Sequence, residues 1–325
     1  MSANIENPII DLTIIIVAWN VKELVEECLL MLRHSSDTLQ KEILFVDNGS
    51  KDGTADFVRI KFPEVDLIES PTNLGFIRAN NLAYEQTRGK YVLMLNSDAF
   101  VFKSTLQDTI NFMDETPDCG ALGVRLVGRD GVLQPSARYF PTPFKTFIRQ
   151  LGFDGKLPLI GPEDDLNCDH NSTRECDWVV GCFLLTRKKI IDKMGYFLRD
   201  DFFMYNDDND LCLRIKKEGW KVYFYPTDVV HLGGATAKKM GPTIAKSGNQ
   251  IEKYQIESRY IYYRKNYSIL KVVSSYSFMV FADLIEIAKT IIKPKREYKF
   301  RDAISHIILV TKIMLATKFG NQRLH

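Results

Sequence analysis

The chain has 325 residues, is 45% hydrophobic and 26% charged, and carries a formal net charge of +2. This is an ordinary globular composition, enough for one large domain or for one domain with an appendage, and no nucleic-acid partner is expected of it. The six cysteines, at 28, 119, 168, 176, 182 and 212, make no C-x-x-C pair and no metal-finger spacing; several sit in apolar runs, as buried thiols do, which suggests a reducing cytosol.

The N-terminal MSANIENPII lacks the charged start and apolar core of a secretion signal. LTIIIVAWN (12–20) is a continuous β-branched run, the mark of a strand buried on both faces. VKELVEECLLMLRHS follows with Leu24, Cys28, Leu29 and Leu32 at helical spacing. EILFVDNGSKDGT (42–54) predicts a second buried strand that ends in turn chemistry, TADFVRIKF a helix, and VDLIES (65–70) a third strand. GFIRANNLAYEQT predicts another helix and KYVLMLNSD a fourth strand. Such alternation means a parallel α/β sheet with right-handed crossovers, whose ligands bind at the carboxyl ends of the strands. Trp19, Asn20, Asp47, Asn48 and Asp98 all fall there.

Beyond Asp98 the pattern is less regular. STLQDTINFMDE predicts a helix, ALGVRLV (121–127) a strand, and 150–175 a loop. CDWVVGCFLLTRKKIIDKMG (176–195) predicts strand then helix, and DLCLRIKKEGWKVYFYP (210–226) a helix capped at Gly219 and then a strand. From Gln250 onward the chain reads as mainly helical. AISHIILVTKIMLAT (303–317) is too short, and too interrupted by His306 and Lys312, for the roughly 20 apolar residues of a bilayer span.

Charge is uneven. Residues 238–325 hold 17 Lys/Arg and 6 Asp/Glu, a balance of +11, while residues 1–237 hold 26 and 35, a balance of −9. An acidic body with a basic tail suggests a tail that meets something anionic, such as a membrane surface or a lipid-linked substrate, although a solvated helical face has the same composition. YIYYRKNY (260–267) interleaves aromatics with Arg264 and Lys265, as interfacial segments do and core stripes also do.

Four groups of residues carry chemistry. Asp47, at a strand end, can accept the imide N–H of a uracil or thymine ring, although Asp-Asn-Gly-Ser is equally a plain turn. Arg78 can pair with a diphosphate. Asp98 ends a buried strand, where a carboxylate is costly unless something positive faces it. Mg²⁺ or Mn²⁺ fits, because hard cations take few protein carboxylates and complete their shells with phosphate and water; the alternative is an Asp capping the next helix. Asp207, Asp208 and Asp210 crowd four positions, which can raise one carboxylate's pKa, although acids also suit a helix N-terminus. His231, before Gly233 and Gly234, is a candidate further metal ligand or phosphate donor.

In this order the motifs TIIIVAWN, VDNGSKDGT, NLGFIRANN, LNSDAF, DWVVGCFLLTRKKIIDKMGYF, FFMYNDDNDLCLRIKKEGWKVYFYP and VVHLGG resemble the inverting family 2 glycosyltransferases, nearest the bacterial rhamnosyltransferase-like branch. The resemblance covers roughly residues 11 to 270. It implies a GT-A fold: a Rossmann-like, mainly parallel sheet with flanking helices. On that basis residues 1–249 would form the catalytic domain, with a nucleotide-sugar half to about 100 and an acceptor half after it. Residues 250–325 would form a basic, mainly helical extension. Asp47, Ala18 and Asn20 would line the nucleotide pocket, with Asn96 and Ser97 also on the donor side and Arg78 by the diphosphate. Asp98 falls on the last acid of the family's metal-binding D-x-D, with Asn96 in place of the first, and His231 would complete the metal or phosphate environment. Asp208 falls on the family's base, with Asp207 where the branch usually has Glu, so the two roles could be exchanged. Trp178, Gly181 and Cys182 would line the acceptor site.

The resemblance implies a nucleotide-diphosphate sugar donor, dTDP-L-rhamnose or a UDP-sugar. The acceptor would be a glycan or lipid-linked precursor of a cell-surface polysaccharide. The enzyme would work in the cytoplasm or at the inner face of the cell membrane, and a homo-oligomer is compatible with the sequence. A nucleotidyltransferase is disfavoured because AWNVKELVEE has no Gly-rich phosphate loop. A non-catalytic binder is disfavoured because it gains nothing from three adjacent acids.

Overall fold

Leu12–Ala18 forms β1, and its β-branched run is buried almost throughout, as a strand covered on both faces must be. Around it lie β2 (Lys41–Asp47), β3 (Asp66–Glu69) and β4 (Tyr91–Asn96), connected by α1 (Lys22–Arg33), α2 (Thr54–Lys61) and α3 (Phe76–Tyr84). A short β5 (Ala99–Val101), α4 (Thr105–Glu115), β6 (Cys119–Val127), β7 (Leu133–Gln134), β8 (Ala137–Arg138) and α5 (Pro143–Gln150) follow. The chain continues through β9 (Arg174–Cys176), β10 (Trp178–Val179), β11 (Phe183–Arg187), α6 (Lys188–Met194), α7 (Asp207–Lys217) and β12 (Lys221–His231). It ends in three helices, α8 (Gln250–Asn266), α9 (Ile269–Ile292) and α10 (Glu297–Ala316). The computed structural model describes residues 10–35, 38–153, 156, 169–233, 250–292 and 297–324. Cys168, Gly234 and most of the loop expected at 150–175 lie outside the described residues.

Contacts divide the chain into two units. The first comprises residues up to Arg138 with Leu166–Leu198 and Leu211–Thr236. Its sheet runs β3-β2-β1-β4-β11-β6-β12-β5. Strands β1, β2, β3, β4, β6 and β12 share one direction, and β11, inserted between β4 and β6, reverses it. This is the mainly parallel α/β sheet expected from the sequence. Ile14, Ile16, Phe45, Leu93, Leu95 and Phe183 are among the side chains of its apolar core, each worth about 1.5–3 kcal/mol when fully buried.

Two boundaries differ from the sequence reading. The strand expected to end at Pro226 runs on to His231, because a register irregularity between Tyr225 and Asp228 absorbs the proline, as bulges do for a residue that cannot donate to the ladder. Helix α7 begins at Asp207 rather than at Asp210, so the acid cluster is its first turn, where the helix dipole favours acids.

The second unit comprises Tyr139–Asp165, Arg199–Asp210 and Ala237–His325. Here α9 packs on α5, α8 and α10. Tyr260, Tyr262 and Tyr263 of α8 are buried, so YIYYRKNY is a core stripe and not an interfacial one. None of the helices among the described residues is long and apolar enough to cross a membrane. Cys28, Cys119, Cys176, Cys182 and Cys212 are free and buried.

Candidate active site

The carboxyl edge of β2, β1 and β4 is built by register. Parallel pairing sets Ala18 beside Asp47 and Val17 beside Asn96, and the Asn48 N–H donates to the Ala18 carbonyl at 2.9 Å. Asn20 takes a left-handed φ of 55°. In that pose its N–H donates to Ser50 Oγ at 3.0 Å and its Oδ1 accepts from the Lys51 N–H at 2.8 Å. Asp47 Oδ2 accepts from the Ser50 N–H at 3.0 Å. The other oxygen, Oδ1, is buried with no hydrogen-bond partner among the described residues. A buried acceptor without a donor costs about 1–3 kcal/mol, and the imide N–H of a pyrimidine base is a donor that would satisfy it.

The loop leading to α3 is tied to this edge by Asn48, whose Oδ1 accepts from the Leu74 N–H at 2.8 Å and whose Nδ2 donates to Asn73 Oδ1 at 3.1 Å. Gly49 is required there. Its φ is +78°, and a Cβ would fall 2.8 Å from the Thr72 carbonyl carbon. Arg78 lies exposed in the first turn of α3. No local pattern marks the Asn48–Asn73 link, because it joins two turns 25 residues apart.

At the end of β4, Ser97 and Asp98 are both buried and form the tight turn into β5. Antiparallel pairing of β5 with β12 sets His231 opposite Ala99, with the Leu232 N–H on the Asp98 carbonyl at 3.1 Å. His231 Nε2 stands 3.6 Å from Asp98 Oδ1. Gln134 fixes the ring: its Nε2 donates to the His231 carbonyl at 2.7 Å, which leaves its Oε1 facing His231 Nδ1 at 2.9 Å. A carbonyl can only accept, so the amide orientation is determined, and Nδ1 must carry a proton to donate to Oε1. Burial lowers the His231 pKa against the opposing pull of Asp98, which keeps the ring neutral. Nε2 is then a lone pair, buried without a partner, facing a carboxylate oxygen.

Two acceptors face to face call for a cation. Among the described residues no group of three His, Cys, Asp or Glu side chains is arranged to hold a metal. Two protein ligands suit Mg²⁺ or Mn²⁺, which complete an octahedron with phosphate oxygens and water. Gln134, in an irregular stretch, is invisible as a site residue without the pairing of β7 on β6 that brings it to His231.

Gly181 and Cys182 adjoin the same strand end, since the Asn96 N–H donates to the Cys182 carbonyl at 3.0 Å. The Cys182 side chain belongs to the apolar core, so any part it plays toward an acceptor falls to its main chain. Trp178 is buried in β10, paired with Arg138 of β8, whose guanidinium lies over the indole at 5.1 Å.

The acid cluster belongs to the second unit. Tyr205 and Asn206 enter it with φ of 70° and 58°, a left-handed backbone that costs non-glycine residues about 1 kcal/mol or more each. Helix α8 holds this segment: Ser258 Oγ donates to the Met204 carbonyl at 2.6 Å and Lys265 pairs with Asp201 at 2.9 Å. The three acids differ sharply. Asp210 is fully buried and its Oδ1 accepts from Asn266 Nδ2 at 2.7 Å and Arg199 Nε at 3.2 Å. Asp207 is buried, and that burial, reinforced by Asp208 and Asp210, pushes its pKa up to about 8. Asp208 is half-buried, with Oδ1 accepting from the Asn209 N–H at 2.8 Å. Burial thus holds the proton on Asp207, Asp210 is paired with Arg199, and Asp208 is the most accessible carboxylate of the turn.

Residues 13–193 match the family model described as Glycosyl transferase family 2. Over 207 residues the chain is 29% identical to the N-acetylglucosaminyl-diphospho-decaprenol L-rhamnosyltransferase of Mycobacterium tuberculosis, covering 58% of this chain and 66% of that protein, just under two thirds of its length. It is 30% identical over 138 residues to the poly(ribitol-phosphate) beta-glucosyltransferase of Bacillus spizizenii, covering 40% of this chain and 21% of that one. Among solved structures it is similar to the mannosyltransferase PcManGT from Pyrobaculum calidifontis in complex with GDP-Man and Mn²⁺. There the TM-score is 0.55 at 16% identity, over 95% of this chain and 88% of the other. That likeness shows the shared GT-A fold.

Proposed function

Because the chain belongs to glycosyl transferase family 2, we propose that it moves a sugar from a nucleoside-diphosphate donor to an acceptor hydroxyl with inversion at the anomeric carbon. The observation that carries the proposal is the pair of unmatched buried acceptors at one strand edge, Asp47 Oδ1 and His231 Nε2. The first calls for a base N–H and the second, facing Asp98, for a cation.

In this reading Asp47 receives the base, with Ala18 and Asn20 shaping its pocket and Asn96 and Ser97 beside it. Asp98 and His231 hold Mg²⁺ or Mn²⁺, which when bound supplies positive charge to the leaving diphosphate. Asp208 takes the proton from the acceptor hydroxyl. The freed oxygen forms a bond to the anomeric carbon as the bond from that carbon to the diphosphate oxygen breaks, and the electron pair leaves with the nucleoside diphosphate. Arg78 adds its charge to that leaving group; stabilisation of developing charge is commonly the largest catalytic contribution. Trp178, Gly181 and Cys182 belong to the acceptor side.

The donor we favour is dTDP-L-rhamnose, supported by the name of the mycobacterial relative. The acceptor we favour is a lipid-linked glycan or a growing cell-surface polysaccharide. A UDP-sugar of the galactose or N-acetylglucosamine type is the second reading. Calorimetric titration with dTDP-, UDP- and GDP-sugars in the presence of Mn²⁺ tests the donor. The expected result is tightest binding of dTDP-L-rhamnose, weakened by EDTA. Binding of none of them would overturn the donor assignment and the role of Asp47 together.

A further inference from the structure

Helix α9 exposes an apolar stripe. Leu270, Val273, Phe281 and Leu284 recur at helical spacing with the small Ser277 and Ala288 between and after them, and all six are exposed. Leu270 is 72% exposed and Phe281 54%. Helix α10 has a stripe of its own in Ile304, Ile308 and Leu315, the last 59% exposed. Helix α5 adds Phe144, also exposed, which joins an aromatic cluster with Phe147, Phe278 and Phe281 at centroid distances of 5.1–6.4 Å. Single exposed apolar residues are ordinary, but rows of them at helical spacing on two neighbouring helices mark a face that meets something apolar.

The charges on these helices are sorted. Among the described side chains of α5, α9 and α10, the exposed charged ones are Arg149, Lys271, Lys289, Arg301 and Lys312, and every one is basic. The acids are drawn inward. Asp283 accepts from His306 at 2.7 Å, Glu286 pairs with Lys289 at 2.7 Å, and Asp302 is half-buried. The sequence that joins α9 to α10, 293–296, reads KPKR. Apolar stripes flanked by a clear excess of cations among the described side chains are complementary to a surface that offers acyl chains beneath anionic headgroups. A second copy of this chain, whose matching face is equally basic, would meet like charge.

We propose that the exposed face of α9 and α10, with Phe144 of α5, docks on an anionic phospholipid surface. The helices lie in its interface and do not cross it. The docking stands apart from the donor chemistry.

The test is co-sedimentation of the full chain with phosphatidylcholine vesicles, with and without phosphatidylglycerol. Each preparation is also titrated with nucleotide sugar and its mass measured by light scattering. Wild type is expected to pellet with the anionic vesicles, less so with neutral ones and less so at high salt. Phe281→Ser with Leu284→Ser is expected to lower the bound fraction roughly tenfold or more, since both lose apolar area offered to the lipid; Phe281 also gives up its contact with Phe147. Lys271→Gln with Lys312→Gln should lower it by roughly 25-fold, about 1 kcal/mol or a factor of roughly five for each charge. Leu270→Ser, at the most exposed position, is a second apolar variant that puts no fold contact at risk. Equal pelleting of wild type and all variants would overturn the proposal, as would absence of binding to anionic vesicles. A wild-type dimer that the apolar variants convert to monomer, with vesicle binding unchanged, would assign the face to a second copy instead. Nucleotide-sugar titration is expected to be the same in every variant, so failure of the docking is read separately from failure of the donor assignment.

Discussion

The carboxyl edge of the sheet and the first turn of α7 both bury aspartates, and they handle the cost in opposite ways. At the strand edge Asp47 accepts one backbone N–H and keeps a second oxygen without a donor, while Asp98 faces a neutral imidazole lone pair. Asp47 Oδ1 and His231 Nε2 have no hydrogen-bond partner among the described residues, so the edge is suited to binding something that brings a donor and a cation. In the helix turn the cost is settled internally. Asp210 is neutralised by Arg199 and Asn266, and Asp207 by its own proton. The remaining acid of the turn, Asp208, is the half-exposed one. The first arrangement fits recognition and the second fits proton removal.

The sharpest way to break that contrast is at Asp208. Asp208→Asn removes the base while keeping shape, and kcat is expected to fall by about 10²–10⁴ with the donor dissociation constant unchanged. Single-turnover transfer alongside calorimetry reads both. If Asp208→Asn keeps its rate and Asp207→Asn loses it, the two acids exchange roles.

Asp98 comes next. Asp98→Ala leaves His231 Nε2 facing nothing, and Mn²⁺-dependent donor affinity is expected to drop about 10–100-fold, the range for loss of a supporting contact at a metal site. Gln134→Leu touches neither the donor nor the cation. It frees the imidazole to take the other tautomer, so a smaller loss in the same assay is expected. Donor binding that is insensitive to both changes and to EDTA would leave the facing acceptors without a role.

The strand edge was legible in the sequence because strands end where apolar runs end. LTIIIVAWN, EILFVDNGS and YVLMLNSD each announce both the strand and the polar residue that closes it, and a parallel sheet must gather those ends on one side. His231 was legible for the same reason. Gln134 and Asn73 were not, because their roles come from strand pairing and turn-to-turn hydrogen bonds that leave no periodic trace. Nor was the sorting of the three acids. It depends on Arg199 and Asn266, the latter 56 residues downstream in α8, and on degrees of burial that neighbouring identical residues cannot reveal.

The smallest expected effect tests the proton on Asp207. Its pKa is about 8 in the folded chain against an ordinary 3.8, so folding takes up a proton across the window between those values. Below the lower value both states are protonated and the group costs nothing. As pH rises toward the upper value the unfolded chain ionises freely while the folded chain holds its proton, and stability falls. Asp207→Asn supplies a neutral side chain of the same shape at every pH. Its melting temperature is expected to match that of wild type near pH 4 and to exceed it increasingly up to pH 8. Differential scanning calorimetry across that range reads the difference. Parallel melting curves for the two proteins would mean that Asp207 is ionised in the folded chain, and the two neighbouring acids would then no longer be told apart by their protons.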